Sequence, residues 1–170
     1  MFDATAIGTF VLAVVTYLTV REMQQQQKHS KLTEEMSLLV GPLYSKKNNE
    51  ILFGITSAQP NRYHPDSEFR WRDYYDFWDK IITKSYLAPS YLRERLNEYL
   101  AAKNAYWSAF EDGEHGLVRS FEETPLGETK KGTFDLKRNA FQSAVDARYH
   151  SLTIEIEQAE KDFWKRLLNR

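Results

Sequence analysis

At 170 residues the chain has room for one domain and at most an appendage, and its 28% charged and 14% aromatic content excludes a multi-span membrane protein and a disordered chain. Beyond residue 20 the 23 basic residues meet 23 acidic ones, because Asp3 is the one charged side chain before that point; this balance makes nucleic acid an unlikely partner, since such binding draws on clustered Lys and Arg. Cysteine is absent, which removes disulfides, thiolate metal sites and a Cys nucleophile.

Ala4–Val20 is a run of 17 residues without a charge. As a helix it measures about 26 Å, slightly less than a hydrocarbon core of about 30 Å. Counting from Met1 closes the gap and puts Asp3 near one interface and Tyr17 and Arg21 near the other. The start is acidic and no small-x-small cleavage site precedes the polar region, so a retained anchor is expected and not a signal peptide. Arg21, Lys28 and Lys31 follow the run and no basic residue precedes it. The bias of Lys and Arg toward the cytoplasm then predicts a single-pass protein of the cell membrane, N-terminus out.

Residues 21–31 are helix formers without an apolar face, Gln24–Gln27 among them, and suit a solvent-exposed stalk. Leu32, Met36, Leu39, Val40 and Leu43 then recur at helical spacing. Gly41–Pro42 is expected to kink or end that helix. Ile51–Ile55 is short and apolar and its type stays open. Residues 56–67 contain two prolines and read as a loop.

Three further helices are expected. The first covers about 68–84, with Trp71, Tyr74, Tyr75, Trp78, Ile81 and Ile82 within one arc of about 120°. The second covers about 91–111, with Leu92, Leu96, Tyr99, Leu100, Tyr106, Trp107 and Phe110 on one face, and stops at Gly113 and Gly116. A Gly- and Lys-rich segment up to residue 134 reads as a loop. The last helix covers about 135–169, its stripe Phe141, Val145, Tyr149, Leu152, Ile156, Ala159, Phe163 and Leu167 stepping at helical spacing. The fold class is all-α: one transmembrane helix (1–20), a stalk and first bundle helix (21–43), and a cytoplasmic helical domain (44–170), together an antiparallel bundle of about four helices.

Chemistry is harder to find. His29, His64, His115 and His150 stand in no HExxH and have no Glu three residues before them, so zincin and di-metal bundle signatures are absent. Asp146/His150 and Asp112/His115 have ligand-like spacings that arise readily by chance. No nucleophile elbow, Walker loop or Rossmann glycine pattern occurs. No metal and no cofactor is expected. Asp73, Asp76 and Asp79 drift around their helix and read as a solvated face.

The densest feature is aromatic: seven Tyr, Phe and Trp residues within 62–78. Most fit a bundle core. Phe69 and Phe77 fall off that face and, with Arg70 and Arg72 flanking Trp71, are the candidates for docking a partner, since exposed aromatics and Arg serve as interface anchors. Lys103 lies near the middle of an apolar stripe. Its stem can pack while the ammonium reaches water or an acid; the sharper reading is a functional buried lysine of lowered pKa. The pattern as a whole suits a membrane-anchored interaction or scaffold module. The alternatives are a membrane-tethered enzyme, with a site among Asp73, Asp76, Lys103, Asp146 and His150, and a single-pass sensor. Lipid contact through residues 1–20 is expected, and self-association is possible, with Gly8 forming half of a small-xxx-small motif.

Overall fold

The structure, a computed structural model, describes residues 4–54, 65–111 and 122–168, with side chains from Gly8 onward except at 50–51, 65–71, 111 and 166–167. Every regular element among these residues is a helix. The order is α1 (Ala4–Glu35), a π-helical turn (Met36–Val40), α2 (Gly41–Lys46), the short α3 (Glu50–Phe53), α4 (Pro65–Lys84) with a 3₁₀ turn (Ser85–Leu87), α5 (Ser90–Glu111) and α6 (Pro125–Leu168). With α1 and α2 running on as one rod, the bundle has about four helices, as the periodicities predict.

Gly41–Pro42 does not end the first helix. Proline lacks an N–H and breaks the regular ladder; the chain absorbs this by widening one turn, and the Gly41 N–H bonds back to the Met36 carbonyl. Residues 35 and 41 keep right-handed helical dihedrals, so the rod continues to Lys46. Only glycine suits position 41, because a Cβ there would sit 2.7 Å from the Met36 carbonyl oxygen. The extra residue turns Leu39, Val40 and Leu43 together into the core.

The last helix begins ten residues earlier than expected, which corrects the loop reading of the Gly- and Lys-rich segment. Thr124 caps it: the hydroxyl accepts from the Gly127 N–H at 3.0 Å, and its carbonyl accepts from Glu128 N–H at 2.9 Å. Pro125 takes the first helical position, where its missing N–H costs nothing. The gain is Phe134, fully buried against Tyr99. Ile51–Phe53 is helical in α3, with Leu52 and Phe53 buried; of the loop expected over 56–67, residues 65–67 instead form the start of α4, while residues 55–64, His64 among them, and Asp112, Gly113, His115 and Gly116 lie outside the described residues.

α5 and α6 run antiparallel: Tyr106 reaches Glu122, Tyr99 meets Phe134 and Phe141, and Glu98 pairs with Lys137. α6 then runs back along the rod. Gln142 donates to the Lys47 carbonyl, Asp146 pairs with Lys47, Tyr149 stacks on Tyr44 at 3.8 Å, and Arg148 meets Glu35. The core they enclose is aromatic, built on Phe53, Trp78, Tyr99, Phe134 and Phe141. The expected arc of α4 is only half covered: Trp78 and Ile81 are buried, while Tyr75 and Ile82 are exposed.

The expectation of a transmembrane helix needs correction. Among the described residues no helix is long and apolar enough to cross a membrane. Within α1 the uncharged run Ala4–Val20 is 17 residues, about 26 Å of helix against a hydrocarbon core of about 30 Å. Beyond it α1 turns polar at Arg21 and stays so to Lys31.

Candidate functional site

Two buried charged side chains stand out, Glu35 and Lys103. Lys103 projects from the middle of α5 toward the end of α3. A helix leaves its last carbonyls without partners, and α3 solves this with side chains from its neighbours. The Leu52 carbonyl accepts from Trp78 Nε1 at 3.1 Å and from Lys103 Nζ at 3.2 Å. The Phe53 carbonyl accepts from the Tyr99 hydroxyl at 3.3 Å. A cation at a helix C-terminus is also favoured by the peptide dipoles.

Around the Lys103 nitrogen stand three rings, with centroids 4.8 Å (Tyr74), 5.7 Å (Tyr99) and 5.8 Å (Trp78) away. Their faces supply the negative potential that a nearby carboxylate would otherwise provide. No acid lies within ion-pair distance of it among the described residues. Burial therefore dominates and pulls the ammonium pKa down to about 8. Burial, and secondarily Tyr75, pushes the neighbouring Tyr74 phenol up to about 12. The cage can hold a proton that is released in mildly alkaline solution. Lys103 thus does not snorkel to water, and among the described residues it meets no acid.

Glu35 is the opposite case. It ends α1 just before the π-helical turn and accepts two bonds from Arg148, 2.7 Å from Nε and 2.6 Å from Nη2. The third guanidinium nitrogen bonds Glu155 at 2.8 Å, and Ser151 donates to the same Glu155 oxygen. Glu35 hydrogen bonding is the main cause of a raised Arg148 pKa. The Ser151 hydroxyl, more than the Arg148 charge, holds Glu155 below the usual carboxylate range.

From that network toward the N-terminal end of α1, α1 and the end of α6 leave an open groove of about 510 Å³, lined by Gln25, Gln26, His29, Ala159, Phe163 and Trp164 among others. His29 Nε2 is buried at its edge with no hydrogen-bond partner. Among the described residues no three His, Asp or Glu side chains are placed to share a metal ion.

The residues singled out in the sequence scatter. Phe69 and Arg70 lie on α4, with side chains outside the described set. Arg72 is exposed. Phe77 is half-buried, its ring against Trp78 at 5.3 Å and Phe53 at 6.2 Å, so it supports the core. Along α4 and its 3₁₀ turn it is Tyr75, Ile82 and Tyr86 that are exposed, at 63%, 51% and 60%. Asp146 is occupied by Lys47, the His150 ring meets Tyr44 and Tyr149, and Asp73 and Asp76 face outward. The groups around Lys103 are instead Leu52, Tyr74, Trp78 and Tyr99. The Glu35–Arg148 pair and the α3 cap have no local signal in the sequence, since each joins residues far apart along the chain. Comparisons with protein-family profiles, with curated proteins and with solved structures each find no match for the chain.

Proposed function

We propose that the chain is a membrane-associated helical interaction module: the apolar end of α1 is embedded in lipid, and the bundle is held beside the membrane to dock other proteins. The observation that supports the first half is exposure on all sides. Phe10, Val11, Leu12, Val14, Val15, Tyr17, Leu18 and Val20 are each at least 40% exposed, and they cover the whole circumference of the helix. A protein partner on one face would leave the others in water, whereas lipid surrounds them all. The polar groups in this stretch agree. Thr16 and Thr19 donate to the Leu12 and Val15 carbonyls at 2.8 and 2.9 Å, so these hydroxyls are satisfied within the helix, as a medium without hydrogen-bonding partners requires.

Arg21, Lys28 and Lys31 follow the apolar end, which favours the bundle on the cytoplasmic face. The docking half rests on Tyr75, Ile82 and Tyr86, a row of exposed apolar side chains flanked by exposed Arg72. The dispersal of Asp73, Asp76, Asp146, His150 and Lys103 lends no support to a tethered enzyme.

The test is extraction of the full-length chain from membranes. Alkaline carbonate should leave it in the pellet and detergent should release it. Leu12→Arg with Val15→Arg should move it to the carbonate supernatant; retention of that variant would sink the lipid reading. A reporter fused after Arg170 that is active only outside the cytoplasm should stay silent. For docking, crosslinked partners recovered with the full chain should be lost with Ile82→Asp.

A further inference from the structure

The far end of α6 supplies a second contact. α6 runs antiparallel to α1, and the pairings move steadily: Arg148 is beside Glu35, while Ala159 and Asp162 share a groove with Glu22, Gln25 and Gln26. Six further residues of α6 carry it about 9 Å past Asp162, level with the apolar end of α1. At that end the surface changes character. Phe163 and Trp164 are 53% and 57% exposed, with rings edge to face at 5.7 Å, and Leu168 is 80% exposed. Among the described residues no element covers their outward faces.

We infer that the Phe163–Trp164–Leu168 end of α6 rests in the headgroup layer of the same membrane that receives α1. The inference depends on the lipid reading of α1 given above. The argument is one of level and chemistry. Side chains of a helix lean toward its N-terminus, which brings the Trp164 ring back to the rim of the groove at Gln25 and Gln26, about a turn on the water side of Val20. That is the depth at which indole rings, apolar in body and polar at N–H, are most at home. Leu168, one turn further along, would lie at the edge of the hydrocarbon. The exposed Lys165 beside them and Arg21 on α1 suit phosphate groups at that depth. A single embedded helix leaves a bundle free to tilt and spin; two contacts on neighbouring antiparallel helices fix which face of the bundle looks away from the membrane.

The absence of cysteine makes the test direct. Leu12→Cys, Trp164→Cys, Leu168→Cys and Glu157→Cys are each labelled with a nitroxide in the full-length chain and reconstituted in phosphatidylcholine–phosphatidylglycerol vesicles. Collision with oxygen is then compared with collision with a water-soluble nickel chelate. The expected order of oxygen-to-nickel ratio is Leu12 highest, Leu168 and Trp164 between, and Glu157 lowest, with the two α6 sites severalfold above Glu157. If the position-12 label is lipid-exposed while both α6 labels match Glu157, the second contact is overturned and the anchor stands. If the position-12 label is itself in water, both are overturned.

Discussion

Glu35 and Lys103 are the two charged side chains that the bundle buries among the described residues, and it treats them in opposite ways. Glu35 is met by a guanidinium with two parallel bonds, so its charge is cancelled where it stands. Lys103 meets no counter-charge among the described residues; two oxygens and three ring faces stabilise it in part, and burial is left to lower its pKa. The first arrangement fixes how α6 lies along the rod. The second fixes how the short α3 lies under α4 and α5. One locks a register through charge, and the other caps a helix end with a group that can give its proton up.

The largest effect should come from breaking the paired site. Arg148→Met leaves Glu35 buried without a partner, and the expected loss is about 3–5 kcal/mol, read as a drop in urea midpoint for the full chain in detergent micelles. Replacing both residues, Glu35→Met with Arg148→Met, should recover most of it. If the double variant is no more stable than the single one, the cost lies in lost packing and not in the stranded charge.

The unpaired site should respond to pH. The Lys103 pKa lies below its ordinary 10.5 in the folded chain, so between about pH 8 and 10.5 the unfolded chain binds the extra proton. Stability therefore rises with pH across that window, by roughly 2–3 kcal/mol in total, and below it the full penalty of the buried ammonium is present. Near pH 10 an opposing contribution sets in and offsets the last part of this rise, because Tyr74, Tyr99 and Tyr106 have raised pKa values and the unfolded tyrosines ionise first. Lys103→Met should flatten the rise between pH 8 and 10 and cost little at pH 7, since Trp78 still caps Leu52. A variant with the same alkaline rise as the parent would place the titrating group elsewhere.

How far this contrast could be read beforehand differs for its two halves. That Lys103 interrupts an apolar stripe is plain from the 3.6-residue spacing of Leu92, Leu96, Tyr99, Tyr106 and Phe110. Its acceptor is a backbone carbonyl 51 residues away, and no side-chain pattern reports on that. Glu35 and Arg148 are 113 residues apart and look like ordinary surface charges. The start of α6 did carry a signal, Thr124–Pro125 followed by Phe134 seven residues before Phe141, but Gly127, Thr129, Gly132 and Thr133 mask it by propensity. Helical type and number were legible because an aromatic core this dense forces long apolar stripes. The lack of cover on Tyr75 and Ile82 was not, since a stripe shows which face is apolar and not whether another element reaches it.

The π-helical turn links the paired site to the core, and Gly41→Ala tests that link. The added Cβ would meet the Met36 carbonyl oxygen at 2.7 Å. The backbone must shift or the turn must rewind, and rewinding rotates Glu35 by about one residue, 100°, relative to Leu39 and Leu43. The expected loss is about 1–3 kcal/mol. It should shrink in the Glu35→Met, Arg148→Met background if the turn matters chiefly for aiming Glu35, and persist unchanged if it matters chiefly for burying Leu39 and Val40.

The smallest effect, of opposite sign, is expected at the other described mid-helix glycine of the bundle. Gly132 lies within α6 with open space where a Cβ would stand. Alanine there removes backbone freedom from the unfolded chain and meets nothing in the folded one, so Gly132→Ala should raise stability by about 0.5–1 kcal/mol. The two substitutions are chemically identical and both fall inside helices. A gain at 132 beside a loss at 41 would show that Gly41 is held by the close approach of the Met36 carbonyl. A loss at both would mean that α6 near Gly132 departs from regular helix, and the capping of its first turn by Thr124 would then be the first contact to test, with Thr124→Ala.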